Sequence, residues 1–150
     1  MVAISDSLAW ELTRRNTSFL KKRNGRTKRT GTVEFSVEKG NVKSLNKFQY
    51  SGLANSKVCD VAFADGNKAV LVTKTASKCS KMPKKAFATT PLNKDFRRVE
   101  NTIMTQTVNN YYRRDLKAAA LGKWTAVYKA NRRAKGTKPV VPVKKGRGKL

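Results

Sequence analysis

The alternation of apolar and polar positions predicts a small α+β protein. Ile4, Leu8 and Leu12 recur every four residues, so a short helix is expected over Asp6 to Arg15, capped by Ser5 or Asp6. Trp10 lies off that stripe and is read as packing against a neighbouring strand rather than as a platform for a base. Thr17 to Leu20 begins a strand, and Val33 to Glu38 alternates strictly, as a half-buried strand does. Phe48 to Tyr50 reads as a short edge strand. Lys57 to Phe63 alternates again, with Cys59, Val61 and Phe63 on one face, and Asp65-Gly66 is a hairpin dipeptide of type I′. The returning segment, Ala69 to Lys74, is apolar at successive positions, as in a central strand. Together these predict a twisted antiparallel sheet of three to five strands.

Residues 75–91 read as a loop. A helix capped by Asn93 follows, with Phe96, Val99, Ile103 and Val108 on one stripe. A last helix, capped by Asp115, presents Leu116, Ala119, Ala120, Trp124, Val127 and Tyr128 and runs to about Arg133. Gly136 stops it, and Pro139 and Pro142 prevent its continuation. The predicted organisation is one domain over 1–135 and a basic extension over 136–150, disordered until it meets a polyanion.

Charge changes this picture from a fold into a class of function. The chain has 150 residues, 34 of them Lys or Arg and nine Asp or Glu, a net charge of +25. Residues 1–20 carry two bases and two acids, whereas 131–150 carry eight bases and no acid. The neutral amino-terminal segment is expected to pack, and the polycationic end to need countercharge. With no histidine, Ser-His-Asp and Cys-His nucleophilic chemistry are excluded, as are imidazole metal ligands. Two cysteines cannot fill a four-ligand zinc site, and Cys59 and Cys79 are expected to be free thiols of a reducing compartment. No phosphate-cradling glycine motif is present and the acids are scattered, so no enzyme, cofactor, metal or small-molecule substrate is expected. The longest aliphatic run, Ala69 to Leu71 and Val72, is far short of the about 20 residues of a membrane span. Residues 1–15 lack the pattern of a signal peptide, so an intracellular protein without membrane attachment is expected.

What remains are basic clusters with aromatics among them. They are Lys21, Lys22 and Arg23; Arg26, Lys28 and Arg29; Lys84 and Lys85; Arg97 and Arg98; Arg113 and Arg114; Arg132 and Arg133; and Lys144, Lys145 and Arg147. Adjacent cations suit phosphates, through the planar fork of Arg and the point charge of Lys. Tyr111-Tyr112 beside Arg113 either stacks on an unpaired base or closes a helix–helix corner with one ring buried. No DNA-reading motif, RNP1 pattern or KH loop is present, and cations lie in every segment after the first. That spread fits a protein set against folded RNA on several sides, and substitution of Arg113 and Arg114 is expected to weaken RNA binding while sparing the fold.

Leu8-x-Trp10-x-x-x-Arg14, followed by Ser18-Phe19-Leu20-x-Lys22-Arg23-Asn24, resembles the amino-terminal signature of the eukaryotic large-subunit ribosomal protein twenty-eight family. Phe35-Ser36 with Glu38, Asn46-x-Phe48-x-Tyr50-x-Gly52-Leu53 and the Asp65-Gly66 hairpin are similar to that family's sheet. Thr89-Thr90-x-x-Asn93-Lys94 and Tyr112-Arg113-x-Asp115-Leu116-x-x-Ala119-Ala120 are similar to its two carboxy-terminal helices. The resemblance spans roughly residues 7–134, and Arg114 departs from it, standing where a Pro is familiar. It implies a structural constituent of the cytosolic 60S subunit, with large-subunit ribosomal RNA and neighbouring ribosomal proteins as partners and nucleolar transit during assembly. It maps RNA contacts onto Lys22, Arg23 and Arg113. A nucleolar assembly factor with a related domain is the alternative, and a non-specific DNA-binding protein a more distant one.

Overall fold

The computed structural model describes residues 4–22, 33–79 and 81–137. The architecture is α+β: a short helix, two small open antiparallel sheets and two carboxy-terminal helices. In chain order these are α1 (Asp6–Thr13), β1 (Leu20–Lys22), β2 (Glu34–Ser36), β3 (Cys59–Ala64), β4 (Lys68–Lys74), the single turn α2 (Ala76–Cys79), β5 (Phe87–Pro91), α3 (Phe96–Met104) and α4 (Lys117–Ala134). The strands divide between sheets β1-β2 and β3-β4-β5.

The larger sheet and the two long helices hold the core. β4 is central, paired with β3 from Cys59↔Thr73 to Ala64↔Lys68 and with β5 from Val70↔Pro91 to Lys74↔Phe87. Cys59, Val61 and Leu71 are fully buried and meet Val99 and Ile103 of α3 and Ala120, Trp124 and Val127 of α4. The last helix thus uses the face its period predicts. Phe63 does not follow Cys59 and Val61 inward: it is 62% exposed, although Ala69 opposite it on β4 is buried. The hairpin itself has three residues rather than two, Asp65 to Asn67, with Gly66 and Asn67 at positive φ. Gly136 ends α4 with φ +81.

Several expectations are corrected. α1 is capped by the Ser5 side chain, which accepts from Leu8 N at 3.3 Å, but it ends at Thr13 and buries no residue. Its stripe, Ile4, Leu8 and Leu12, faces solvent. The helix is held from its other side: Asp6 Oδ2 accepts from Ser56 N and Oγ, both 3.0 Å, and Asn46 Nδ2 donates to Arg14 O at 2.9 Å. Trp10 packs on Phe48 at 6.0 Å, and Phe48–Tyr50 is a 3₁₀ turn, not a strand. β2 alternates as predicted, but with the polar set inward. Ser36 and Glu38 are buried, while Phe35 and Val37 are exposed. Alternation identifies two faces; the hydrogen bonds decide which one is covered. Glu38 accepts from Ser51 Oγ (3.2 Å), Leu53 N (3.2 Å) and Asn41 Nδ2 (3.1 Å), so its carboxylate organises the turn-rich segment above it.

The supposed loop at 75–91 contains α2, a 3₁₀ turn over Pro83–Lys85 and β5. As an edge strand β5 tolerates a terminal Pro91, which the residue pattern makes look like a breaker. The cap of α3 is Asp95 rather than Asn93, and α3 continues into a π-helical turn over Thr105–Asn109. Asp115 does not cap α4. A 3₁₀ turn over Arg114–Leu116 precedes that helix, and the Asp115 carboxylate is bound by Arg113 instead.

One hydroxyl joins these parts. Tyr112 Oη accepts from Val58 N (2.9 Å) and Lys74 N (3.1 Å) and faces Lys74 O (2.6 Å) and Val58 O (3.0 Å) as acceptors for its proton. It therefore fastens the α3–α4 connection to the open end of the β3-β4 ladder. Beside it Lys74 Nζ is buried and donates to Gly52 O (3.0 Å) and Asn55 O (2.8 Å). Gly52 is required there, since a Cβ would collide with the Lys39 carbonyl. Tyr112→Phe keeps the ring and deletes the hydroxyl, leaving buried backbone groups short of a partner. It is expected to cost about 1–3 kcal/mol of stability. Urea unfolding followed by circular dichroism measures this as a lower midpoint at unchanged slope; an unchanged midpoint would remove the hydroxyl from this role.

Candidate nucleic-acid interface

The few carboxylates of the chain are turned to structural work. Asp6 holds Ser56, Glu34 Oε2 accepts from Asn46 Nδ2 at 2.8 Å, and Glu38 is buried in its turn. Asp60, 8% exposed at its side chain, pairs with Lys123 Nζ, which also donates to Asn41 O at 3.2 Å. Glu11 pairs with Arg14 at 3.1 Å, Asp95 with Arg98 at 3.4 Å and Asp115 with Arg113. Only Asp65 and Glu100 have no ion pair or hydrogen bond of this kind among the described residues. The cations, in contrast, mostly stand in solvent. A surface built this way presents positive potential on several faces, with little internal neutralisation.

The cations around the candidate interface fall into three groups. Lys21 is exposed on β1 opposite Phe35. Lys84 and Lys85 are exposed on the 3₁₀ turn before β5, Arg97 and Arg98 on the first turn of α3, and Arg132 and Arg133 on the last turn of α4. Arg114 is exposed, its guanidinium 5.3 Å from the ring centre of Tyr111, itself 78% exposed. These residues are free to meet a polyanion. Arg23, Arg26, Lys28 and Arg29, and Lys144, Lys145 and Arg147, lie outside the described residues, as does the side chain of Lys22.

Arg113 forms the second kind. Its side chain is 15% exposed and its donors are engaged internally. Nε and Nη2 bind the two Asp115 oxygens at 3.0 and 2.9 Å, Nη1 donates to Lys57 O at 2.9 Å, and Nη2 also reaches Gln49 O. These hydrogen bonds from Arg113 hold the Asp115 carboxyl below its ordinary pKa, against the opposing effect of partial burial. Tyr111 and Arg113 both have positive φ, 51° and 49°, so Tyr112 sits between two left-handed residues. The internal bonds of Tyr112 and Arg113 hold that strained turn. Of the two readings of Tyr111-Tyr112, Tyr112 closes the corner, whereas Tyr111 is the accessible ring. Cys59 is a core residue: burial pushes its thiol up to about 11, which makes it inert.

The third group was not marked by pairing in the sequence. Lys68, Lys94 and Lys135 join Arg132 around a cleft of about 270 Å³, together with Asn67, Asn93, Asn131, Trp124 and Tyr128. Lys68 and Lys94 are each isolated along the chain, Lys135 follows Arg132-Arg133, and three segments are needed to bring them together. The one available signal is cations recurring beside asparagine at Asn67-Lys68 and Asn93-Lys94. Among the described residues no group of three or more His, Cys, Asp or Glu is placed to hold a metal, and no helix is long and apolar enough to cross a membrane.

Comparison with known proteins places this surface in context. The model of the Ribosomal L28e protein family matches residues 8–130. A Dictyostelium discoideum protein named large ribosomal subunit protein eL28 is 35% identical over 135 residues, which cover 88% of this chain and 92% of that relative. The Schizosaccharomyces pombe protein of the same name is 30% identical over 132 residues, 87% of this chain and 96% of the relative. The Caenorhabditis elegans protein of that name is 41% identical over 91 residues, 61% of this chain and 65% of the relative.

The geometry separates two adjacent arginines that the sequence presents as a pair. Arg113→Ala is expected to lower the thermal midpoint, because it strips Asp115 and two carbonyls of their donor, while Arg114→Ala, which changes stability by no more than about 0.5 kcal/mol, leaves the midpoint close to wild type. Differential scanning fluorimetry of the two variants decides this; equal midpoints would return Arg113 to the surface.

Proposed function

Because the chain belongs to the Ribosomal L28e protein family, we propose that it is a structural constituent of the cytosolic large ribosomal subunit, binding and stabilising ribosomal RNA through phosphate contacts. The observation that carries this reading is the division of charge: seven of the nine carboxylates are engaged by the protein's own donors, while most cations stand in solvent. Such a surface neutralises a folded polyanion at many points, and its affinity comes chiefly from released counterions. Lys84, Lys85, Arg97, Arg98, Arg114, Arg132 and Arg133, with Lys21, are the described residues available for this work. Arg113 and Tyr112 act one step back, by fixing the corner that carries Arg114.

Residues 1–135 form the RNA-binding body in this reading, and 136–150, which lie outside the described residues from 138 on, a basic extension that adds phosphate contacts. Neighbouring large-subunit proteins are the second class of partner. α1, in a segment of zero net charge and with Leu8 and Leu12 exposed, is the part suited to them. The protein works without catalytic residue or cofactor, in the cytosol, after passing through the nucleolus during assembly.

Sucrose-gradient fractionation of cell lysate in moderate salt tests the assignment. The protein is expected in free 60S subunits, 80S ribosomes and polysomes. Confinement to nucleolar particles that precede the mature 60S subunit would make it an assembly factor instead.

A further inference from the structure

We propose that the cleft between the start of β4, the 92–94 segment and the end of α4 receives a single unpaired RNA nucleotide, so that the protein reads one extruded base besides neutralising phosphates. The inference rests on the RNA-binding role proposed above and names a site within it.

The cleft offers each component that an unpaired nucleotide needs. Its cations, Lys68, Lys94, Arg132 and Lys135, come from three separate segments and surround one mouth. No carboxylate lines it; the nearest in sequence are Asp65, in the hairpin turn, and Asp95, whose Oδ1 is paired with Arg98 at 3.4 Å. Phosphate oxygens are therefore favoured there. The wall is aromatic. Tyr128 packs against Phe96 at 5.1 Å and Trp124 at 5.6 Å between ring centres, and the Arg132 guanidinium stands 5.9 Å from the Tyr128 ring. Aromatic rings and guanidinium planes are the surfaces on which splayed bases stack. Three amides, Asn67, Asn93 and Asn131, supply donors and acceptors of the kind that read a base edge.

The site is also prebuilt. Leu92 N donates to Ala69 O at 2.9 Å, which ties the 92–94 segment to the start of β4 and places two buried apolar side chains in the lining of the cleft. Trp124 is fixed by its Nε1, which donates to Phe96 O at 3.3 Å. Asn67 is held at φ +54 by the hairpin. A volume of about 270 Å³ lies just below the range of about 300–1,000 Å³ typical of pockets for drug-sized molecules, which suits one base and excludes a duplex edge.

The test uses the full chain and two RNA hairpins of equal length, one fully paired and one carrying a single bulged adenosine. Binding is measured by fluorescence anisotropy at fixed salt. The bulged hairpin is expected to bind more tightly, by about five- to a hundredfold, the usual worth of one base stacked on an aromatic surface. Asn131→Trp, which fills the cleft from the helix surface, is expected to abolish that preference without weakening the paired hairpin. Tyr128→Leu is expected to do the same, with circular dichroism to verify that the fold is kept. Arg97→Ala with Arg98→Ala weakens both hairpins equally. Equal binding of the two hairpins by the wild type, or an unaltered preference in folded Asn131→Trp, would overturn the nucleotide site and leave the phosphate-binding role intact. Tight binding of free adenosine monophosphate without preference for the bulge would make the cleft a small-molecule pocket and overturn it too. Failure to bind either hairpin would overturn the RNA-binding role itself.

Discussion

Self-repulsion is the constraint this fold has to meet. A net charge of +25 on 150 residues leaves nine carboxylates to offset 34 cations. If those carboxylates were scattered over the surface they would contribute little, since exposed ion pairs are worth about 0–1 kcal/mol. Instead the stronger ones are buried or braced. Glu38 orders the 36–53 region, Asp60 ties β3 to α4 through Lys123, and Asp115 locks Arg113 into the corner before α4. Glu38 and Asp60 link segments distant in sequence, and Asp115 does so through Gln49 Nε2 at 3.4 Å, so removing one loosens tertiary structure rather than a local turn. The exposed acids, Glu11, Asp65, Asp95, Glu100 and Asp115, are far outnumbered by exposed cations among the described residues, and that surface is what a phosphate backbone meets.

Polar joints also substitute for apolar area. The core is one sheet face under two helices, and the amino-terminal third adds little to it: α1 buries no residue, and β1-β2 turns Phe35 and Val37 outward. What keeps the small sheet and its turns in place is hydrogen bonding at Glu38, Asn41, Asn46 and Asn55, together with the buried ammonium of Lys74 on three carbonyls. A network of this kind specifies geometry, because each member left unpaired would carry a desolvation penalty. The Tyr112 hydroxyl is its junction with the hydrophobic core.

The parts legible in the sequence are those with one dominant period. α4 was visible from Leu116 to Tyr128 because its apolar stripe faces the core, and β3-β4 because a turn dipeptide separates two strands of strong β-propensity. Failures occur where the period is present but its direction is set by distant partners. The stripes of α1 and β2 are real, yet both apolar sets face outward, because Ser56 and Asn46 hold one element and Ser51 and Leu53 the other. β5 was hidden by Pro91 and by the lysines before it, since an edge strand needs only one neighbour. At the candidate interface, pairing along the chain marks exposed cations but does not separate Arg113 from Arg114, because the carbonyls that hold Arg113 lie more than fifty residues away. It also overlooked Lys68 and Lys94, which become neighbours only when the hairpin meets the 92–94 segment and α4.

A surface on which exposed cations far outnumber exposed acids is expected to bind RNA by counterion release from many phosphates. The dependence of that binding on salt measures it most directly. Contact with about ten phosphates predicts a log–log slope near −7 to −9 for the full chain binding structured large-subunit ribosomal RNA fragments. A slope shallower than about −3 would mean few phosphates are neutralised, and would contradict an account in which the distribution of charge determines what the protein binds.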